Sequence, residues 1–173
     1  TKVKAISTIL SSEMQALGGD IRAVIITDFE KTSATTLVEG VMDDEAGGAV
    51  AAFRQAVQCD NVDLLNPILM TGSTVLVDDD LAAEFLAAAN NWIEERSLAI
   101  TLVDEIRGGY HEIVGKGKDW IPRYYSLMIT EFFQLGITKC LIGTRGLLGE
   151  GWDASRINVL IDLTTVTTSM SIN

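Results

Sequence analysis

The sequence predicts an α/β domain with a mainly parallel sheet and helices on both of its faces. Short apolar runs such as residues 23–27 lack alternating polar residues, which is typical of parallel strands buried on both faces. Segments with apolar residues at helical spacing lie between these runs, and such alternation favours a sheet covered by helices. The chain has 173 residues, of which 47% are hydrophobic, and this is enough for one compact domain.

The first third of the chain predicts a helix, a strand and a second helix. Apolar residues recur every three or four positions over residues 3–17, and two glycines then provide a helix end. Residues 23–27 follow as a buried strand, and the polar residues 30–44 predict a loop. One apolar face defines the second helix and consists of Ala49, Val50, Phe53 and Val57.

Residues 67–77 contain two apolar runs on either side of Thr71, Gly72 and Ser73. The first run predicts a core strand whose end presents small hydroxyl groups. A plain β-turn at these three residues is an equally good interpretation.

Three consecutive acids, Asp78 to Asp80, could be mistaken for a metal cluster. Carboxylates at the start of a helix cap its free N–H groups and complement its dipole. Apolar residues at helical spacing follow, so the acids are interpreted as a helix start. These apolar positions are Leu81, Phe85, Ala88 and Trp92.

Residues 98–105 imitate a Walker B strand that ends in Asp104 and Glu105. Such a strand works together with a P-loop, and GxxxxGK[ST] occurs nowhere in the sequence, so the two acids are interpreted as approaching a turn. Glycines in residues 107–109 predict a hairpin, either as an insertion or as an antiparallel edge. His111 in its second strand is predicted to face solvent rather than to act as a catalytic base.

Residues 115–119 form a compact basic loop beside Trp120. Two interpretations remain open, a solvated turn and a contact with single-stranded nucleic acid through lysines and an aromatic ring. Pro122 then suits the first position of another helix, which Gly136 ends. Its apolar stripe consists of Leu127, Met128, Phe132 and Leu135.

A glycine-rich loop lies between two apolar runs in residues 139–163. Its glycines are expected to permit positive φ and to bring backbone N–H groups close to a ligand. They are Gly143, Gly146, Gly149 and Gly151. A mere turn is the alternative; a dinucleotide site is not, because no room for a helix exists between Gly151 and the next strand near Ile157.

Charge and composition limit the classes of function. The net charge of −11 argues against binding nucleic acid through bulk positive potential. Two cysteines and one histidine, without a CxxC pattern, predict neither a disulfide framework nor a metal site. No apolar run is long enough to span a bilayer and no signal peptide opens the sequence, so a cytoplasmic protein without a membrane partner is expected.

The order of residues in the glycine-rich loop resembles motif V of superfamily 2 helicases. Thr144 is followed by Glu150-Gly151-Trp152-Asp153 and then by a strand-like segment over residues 158–162. The Glu-Gly-Trp-Asp pattern is similar to the form of this motif in the DEAD/DEAH-like branch, which includes type III restriction subunits. Residues 23–27 then match motif IV, and Thr71, Gly72 and Ser73 match motif IVa.

The resemblance implies that residues 1–173 are a single C-terminal RecA-like domain of a helicase or translocase, with a P-loop NTPase-like three-layer fold. ATP and Mg²⁺ would be bound mainly by an N-terminal RecA-like domain, and the chain would end before motif VI. The resemblance therefore implies an excised fragment that holds no catalytic residue and has no ATPase activity alone.

The resemblance also assigns two sets of site residues. The first set would line the ATP cleft and comprises Glu150, Gly151 and Asp153. The second set would contact the backbone of DNA or RNA and comprises Thr71, Gly72, Ser73, Thr144, Arg145 and Gly146. Many relatives carry Arg at the position of Glu150, and this departure places a phosphate contact there in question.

Two other functions compete with a helicase lobe. One is a non-catalytic α/β binding or scaffold domain, in which the glycine-rich loop only turns the chain. The other is a small-molecule hydrolase that would combine His111, an Asp and either Ser169 or Ser171, and the spacing of these residues does not support it.

Overall fold

The computed structural model describes residues 4–28, 48–59, 62–149, 152 and 154–164. They form an α/β domain, as predicted. The strands are β1 (Ala23–Thr27), β2 (Ile68–Met70), β3 (Val75–Asp78), β4 (Thr101–Ile106), β5 (Tyr110–Lys116), β6 (Cys140–Thr144) and β7 (Val159–Asp162). The α-helices are α1 (Ala5–Leu17), α2 (Gly48–Val57), α3 (Val62–Leu65), α4 (Ala82–Glu95), α5 (Pro122–Leu135) and α6 (Arg145–Leu148). Two 3₁₀ turns cover Gly18–Asp20 and Asp79–Leu81.

The seven strands form one mixed sheet in the order β4-β5-β3-β2-β6-β1-β7. Strands β2, β6, β1 and β7 are parallel, whereas β3, β5 and β4 continue the sheet in antiparallel fashion. The predicted hairpin is confirmed as the antiparallel edge β4-β5. The parallel part of the sheet is smaller than predicted because short turns follow β2 and β4, and such turns can join only antiparallel strands.

Helices cover both faces of the sheet. Helices α1 and α2 pack against one face, and α4 and α5 pack against the other. In β1, Val24 belongs to the core beneath α4 and α5, while its neighbour Ile25 belongs to the core beneath α1 and α2. Successive side chains of a strand point to opposite faces, so a strand that is covered on both sides must be apolar throughout.

Local signals set the helix ends as predicted. Gly18 follows α1 with φ +56° and donates its N–H to the carbonyl oxygen of Met14. Pro122 opens α5, and Gly136 ends it in the left-handed conformation. The Asp78 carboxylate accepts the N–H of Asp80, which confirms that the acidic run starts a helix.

Membrane insertion through a helix has no support in the described part of the chain. None of the helices found there combines the length and the apolar character needed to cross a bilayer.

Candidate functional site

The predicted nucleic-acid contacts meet at the edge of the sheet where the parallel strands end, which we call the carboxyl edge. Thr27 lies opposite Thr144 in the register of β1 and β6. On the other side of β6, Met70 lies opposite Gly143, so the turn after β2 stands beside Thr144. Parallel strands end at the same edge, and for this reason three distant segments of sequence become neighbours.

Thr71 builds the turn at this edge rather than facing outward. Its side chain is buried, and its Oγ1 accepts the N–H groups of Ser73 at 3.2 Å and Thr74 at 3.0 Å. The Tyr125 hydroxyl donates to the carbonyl oxygen of Thr71 and ties the turn to α5. Only Gly72 and Ser73 are exposed in this turn, so they are the parts that a ligand can reach.

Thr144 ends β6 in a half-buried position. Within the described residues its hydroxyl makes no capping bond to α6. Gly143, just before it, has no room for a side chain, since an added Cβ would lie 2.6 Å from Leu148 Cδ1 and 2.9 Å from the Met70 carbonyl oxygen. The absence of a Cβ therefore allows α6 to fold back tightly on the end of β6.

The segment after Thr144 differs from the predicted irregular loop. Residues Arg145–Leu148 form one helical turn, on which Arg145 and Gly146 are exposed. The expectation of positive φ is wrong for Gly143, Gly146 and Gly149, none of which adopts it. Close packing explains Gly149 instead, because an added Cβ would lie 2.3 Å from the Arg145 carbonyl oxygen.

An ion pair crosses the carboxyl edge. Arg145 Nη2 lies 3.3 Å from Asp28 Oδ1, and the two side chains are 50% and 26% exposed. The guanidinium that was expected to face a phosphate thus has a carboxylate of the same chain beside it. Asp28 was not predicted as a site residue, although its place directly after a buried strand is a usable signal.

The three residues predicted for the ATP cleft, Glu150, Gly151 and Asp153, lie outside the described residues. Trp152 between them is described and rests on α5. Its indole Nε1–H donates to Thr130 Oγ1 at 3.0 Å, and its ring centroid lies 6.5 Å from that of Phe133. Trp152 thus lies against α5 through its side chain, a role that was not predicted from the sequence pattern in which it stands.

A second polar cluster lies around His111, at the edge of the sheet opposite the carboxyl edge, because Asp79 follows β3 and β3 runs antiparallel to β2. The prediction that His111 faces solvent is wrong, because the residue is only 8% exposed. Its Nε2 lies 2.6 Å from Asp79 Oδ1 and its Nδ1 lies 2.7 Å from Asp104 Oδ1. Burial alone would lower the pKa of His111, but the hydrogen bonds and charges of Asp104 and Asp79 together raise it above the usual 6.5.

The described residues contain no group of three or more His, Cys, Asp or Glu side chains that could hold a metal ion. Comparison of the chain with family models, with curated proteins and with solved structures gives no significant match.

Proposed function

We propose that the chain is the second RecA-like lobe of an ATP-dependent superfamily 2 helicase or translocase. The observation that carries the proposal is the neighbourhood of three strand ends at the carboxyl edge. Strands β1, β2 and β6 bear the segments that resemble motifs IV, IVa and V. Their order and register bring Ser73, Thr144 and Arg145 to one surface.

In this proposal the lobe holds the nucleic-acid backbone mainly with neutral donors. Ser73 and Thr144 offer hydroxyl groups, and hydroxyl donors position a phosphate without reading the base sequence. The net charge of −11 and the pairing of Arg145 with Asp28 leave little attraction at long range. Binding by this lobe alone is therefore weak and independent of sequence.

ATP and Mg²⁺ are bound in this proposal mainly by an N-terminal RecA-like lobe. Hydrolysis in the cleft between the lobes supplies the energy for movement along the strand. This chain contributes the surface that holds the backbone, and Trp152 fixes one point of the motif V segment on α5.

A scaffold domain without a nucleic-acid ligand is the second candidate, and two observations favour it. Arg145 and Asp28 neutralise each other, and the Thr71 hydroxyl is occupied by its own turn. An edge whose polar groups are satisfied in this way needs no ligand and is compatible with a turn that merely closes the fold.

Nuclear magnetic resonance of the labelled chain distinguishes the two candidates. Titration with oligothymidylate, and separately with oligouridylate, should shift the amide signals of Gly72, Ser73, Thr144 and Gly146. Thr144→Val should weaken binding by about 1 to 3 kcal/mol, since it removes a hydrogen bond to a charged group. The matched control is Thr8→Val on the exposed side of α1.

A helicase lobe requires shifts at the carboxyl edge and a loss of affinity in Thr144→Val that Thr8→Val does not show. Titrations that leave the signals of the edge unchanged would favour the scaffold domain.

A further inference from the structure

His111 joins three separate segments of the chain. It lies on β5, Asp104 lies on the neighbouring strand β4, and Asp79 opens the 3₁₀ turn between β3 and α4. Both ring nitrogens of His111 are within hydrogen-bond distance of a carboxylate oxygen, at 2.6 Å and 2.7 Å. We call this set of three side chains the histidine clasp.

The geometry of the clasp selects one protonation state of the imidazole. An ionised carboxylate can only accept hydrogen bonds, and a neutral imidazole has a single N–H donor. Only the imidazolium ion donates from both nitrogens. A neutral ring would leave one carboxylate oxygen facing a nitrogen lone pair, at a distance where two acceptors repel each other.

We propose that the histidine clasp is a pH-dependent contact. It holds the β4-β5 hairpin to the start of α4 while His111 is charged, and it releases the hairpin when His111 loses its proton. The inference stands apart from the proposed helicase function. It requires only the contacts among the three side chains.

The two carboxylates that face the His111 ring are those of Asp79 and Asp104. Arg107 pairs with Glu105 at 2.6 Å and Glu112 at 2.7 Å, and the register of β4 and β5 places Glu105 and Glu112 on the opposite face from His111. Asp78 is nearby, but its carboxylate caps the N–H of Asp80. The phenol of the adjacent Tyr110 packs edge-on against Phe53 in the other core.

Besides the apolar packing of Ile113 and Tyr110 against the two cores, the described residues attach the hairpin to the rest of the sheet along one side only. In the described part of the chain, β4 pairs with β5 alone, and all six of its residues are exposed or half-buried. Strand β5 joins the rest of the sheet through three residue pairs with β3. One backbone bond, from the Asp79 N–H to the Gly109 carbonyl oxygen at 3.3 Å, spans the same junction as the clasp.

The direction of the pH effect follows from the raised pKa of His111. Below the unfolded value near 6.5, the residue is charged in both states and the clasp contributes its full stability. As the pH rises through the native pKa, the ring becomes neutral and that contribution is lost. The hairpin is therefore fastened below the native pKa of His111 and loosened above it.

The sequence contains one histidine, so its ring signals report the clasp without overlap. The experiment is a pH titration of the His111 ring by nuclear magnetic resonance, with hydrogen exchange of the backbone amides at each pH. We expect a native pKa above 6.5 and two ring N–H signals below it. As the pH rises, the protection of the β4 and β5 amides, corrected for the intrinsic exchange rate, should fall relative to that of the β1 and β6 amides. The fall should be about tenfold for each pH unit between the native and the unfolded midpoints.

Variants decide whether the clasp is the cause. Asp104→Asn should lower the His111 pKa and reduce the pH dependence of protection, and His111→Gln should abolish it. Glu112→Gln is the control, because it alters a carboxylate of the same hairpin on the opposite face. Either a ring that titrates at or below 6.5 or a hairpin whose relative protection is independent of pH would overturn the proposal. The same pH dependence in His111→Gln would overturn it as well.

Discussion

Asp28 and Arg145 are the residues that most limit what the carboxyl edge can bind. Their ion pair is partly exposed, so its contribution to stability is small, at most about 1 kcal/mol. Its effect on binding is larger, because a guanidinium that is engaged with a carboxylate must exchange that partner for a phosphate. Asp28 thus competes with any anionic ligand of this edge.

Asp28→Asn should raise affinity for single-stranded nucleic acid if the proposed function is correct. The substitution removes the Asp28 charge that competes with a phosphate for Arg145, so the slope of log affinity against log salt should steepen by about 0.7. A salt titration of binding measures both effects. Asp20→Asn provides the same change of charge on the exposed Asp20, away from the carboxyl edge. Equal gains in both variants would contradict a local role for Asp28.

At the scale of elements, Trp152 connects the segment after α6 to α5. Its indole donates to Thr130 Oγ1, and its backbone N–H donates to the Gly149 carbonyl oxygen at 3.1 Å. These contacts join the segment after α6 to a helix that is itself packed on the sheet. Trp152 itself is therefore held both by a side-chain contact with α5 and by a backbone bond to Gly149.

Trp152→Phe should lower the free energy of unfolding by about 1 kcal/mol from the lost hydrogen bond, with a further loss from reduced packing. Thr130→Val removes the hydroxyl that accepts this hydrogen bond and leaves the Trp152 indole N–H without that partner. Urea denaturation of both variants and of the double variant measures the coupling. The double variant should lose less stability than the sum of the two single variants. Strict additivity would show that the indole and the hydroxyl do not interact.

At the scale of the whole molecule, the sheet separates two apolar cores, and its inner strands are buried between them. Cys140 lies at the start of β6, between β1 and β2, and is fully buried. Burial raises the pKa of the Cys140 thiol to about 12, and the neighbouring Cys59 adds to the increase. Because the thiolate is the reactive form, Cys140 reacts only after the sheet opens.

A thiol reagent should therefore label Cys140 in the native Cys59→Ser variant at least about a thousandfold more slowly than in the unfolded chain, given typical domain stabilities. The measurement is the rate of Ellman's reaction at mildly alkaline pH with and without denaturant. In Cys140→Ser, the remaining Cys59 borders an open surface pocket of about 350 Å³ with Ser7, Thr8 and Ser11; although it is only 3% exposed, it should react faster than Cys140, which lies inside the sheet. Comparable native and unfolded rates for Cys140 would contradict a sealed strand β6.

Local sequence determined most of the elements of this protein. Residues 23–27 form a strand with the predicted bounds, and α5 begins at Pro122 and ends at Gly136 as predicted. These features depend on side-chain periodicity and on φ preferences, and both are set by residues that are close together in the sequence. The Asp78 cap and the turn before β5 are predictable for the same reason.

Tertiary structure alone decided which side chains meet. Nothing near His111 in the sequence indicates Asp79, which lies 32 residues away and reaches it only because β5 pairs with β3. Asp28 likewise reaches Arg145 only because β1 and β6 are neighbours in the sheet. The register of β6 with β1 and β2 likewise makes Thr144 a neighbour of the turn at Thr71, while the contact of these residues with nucleic acid stays a prediction. Strand order and register arise from packing over the whole chain, so contacts between strands exist only in the folded molecule.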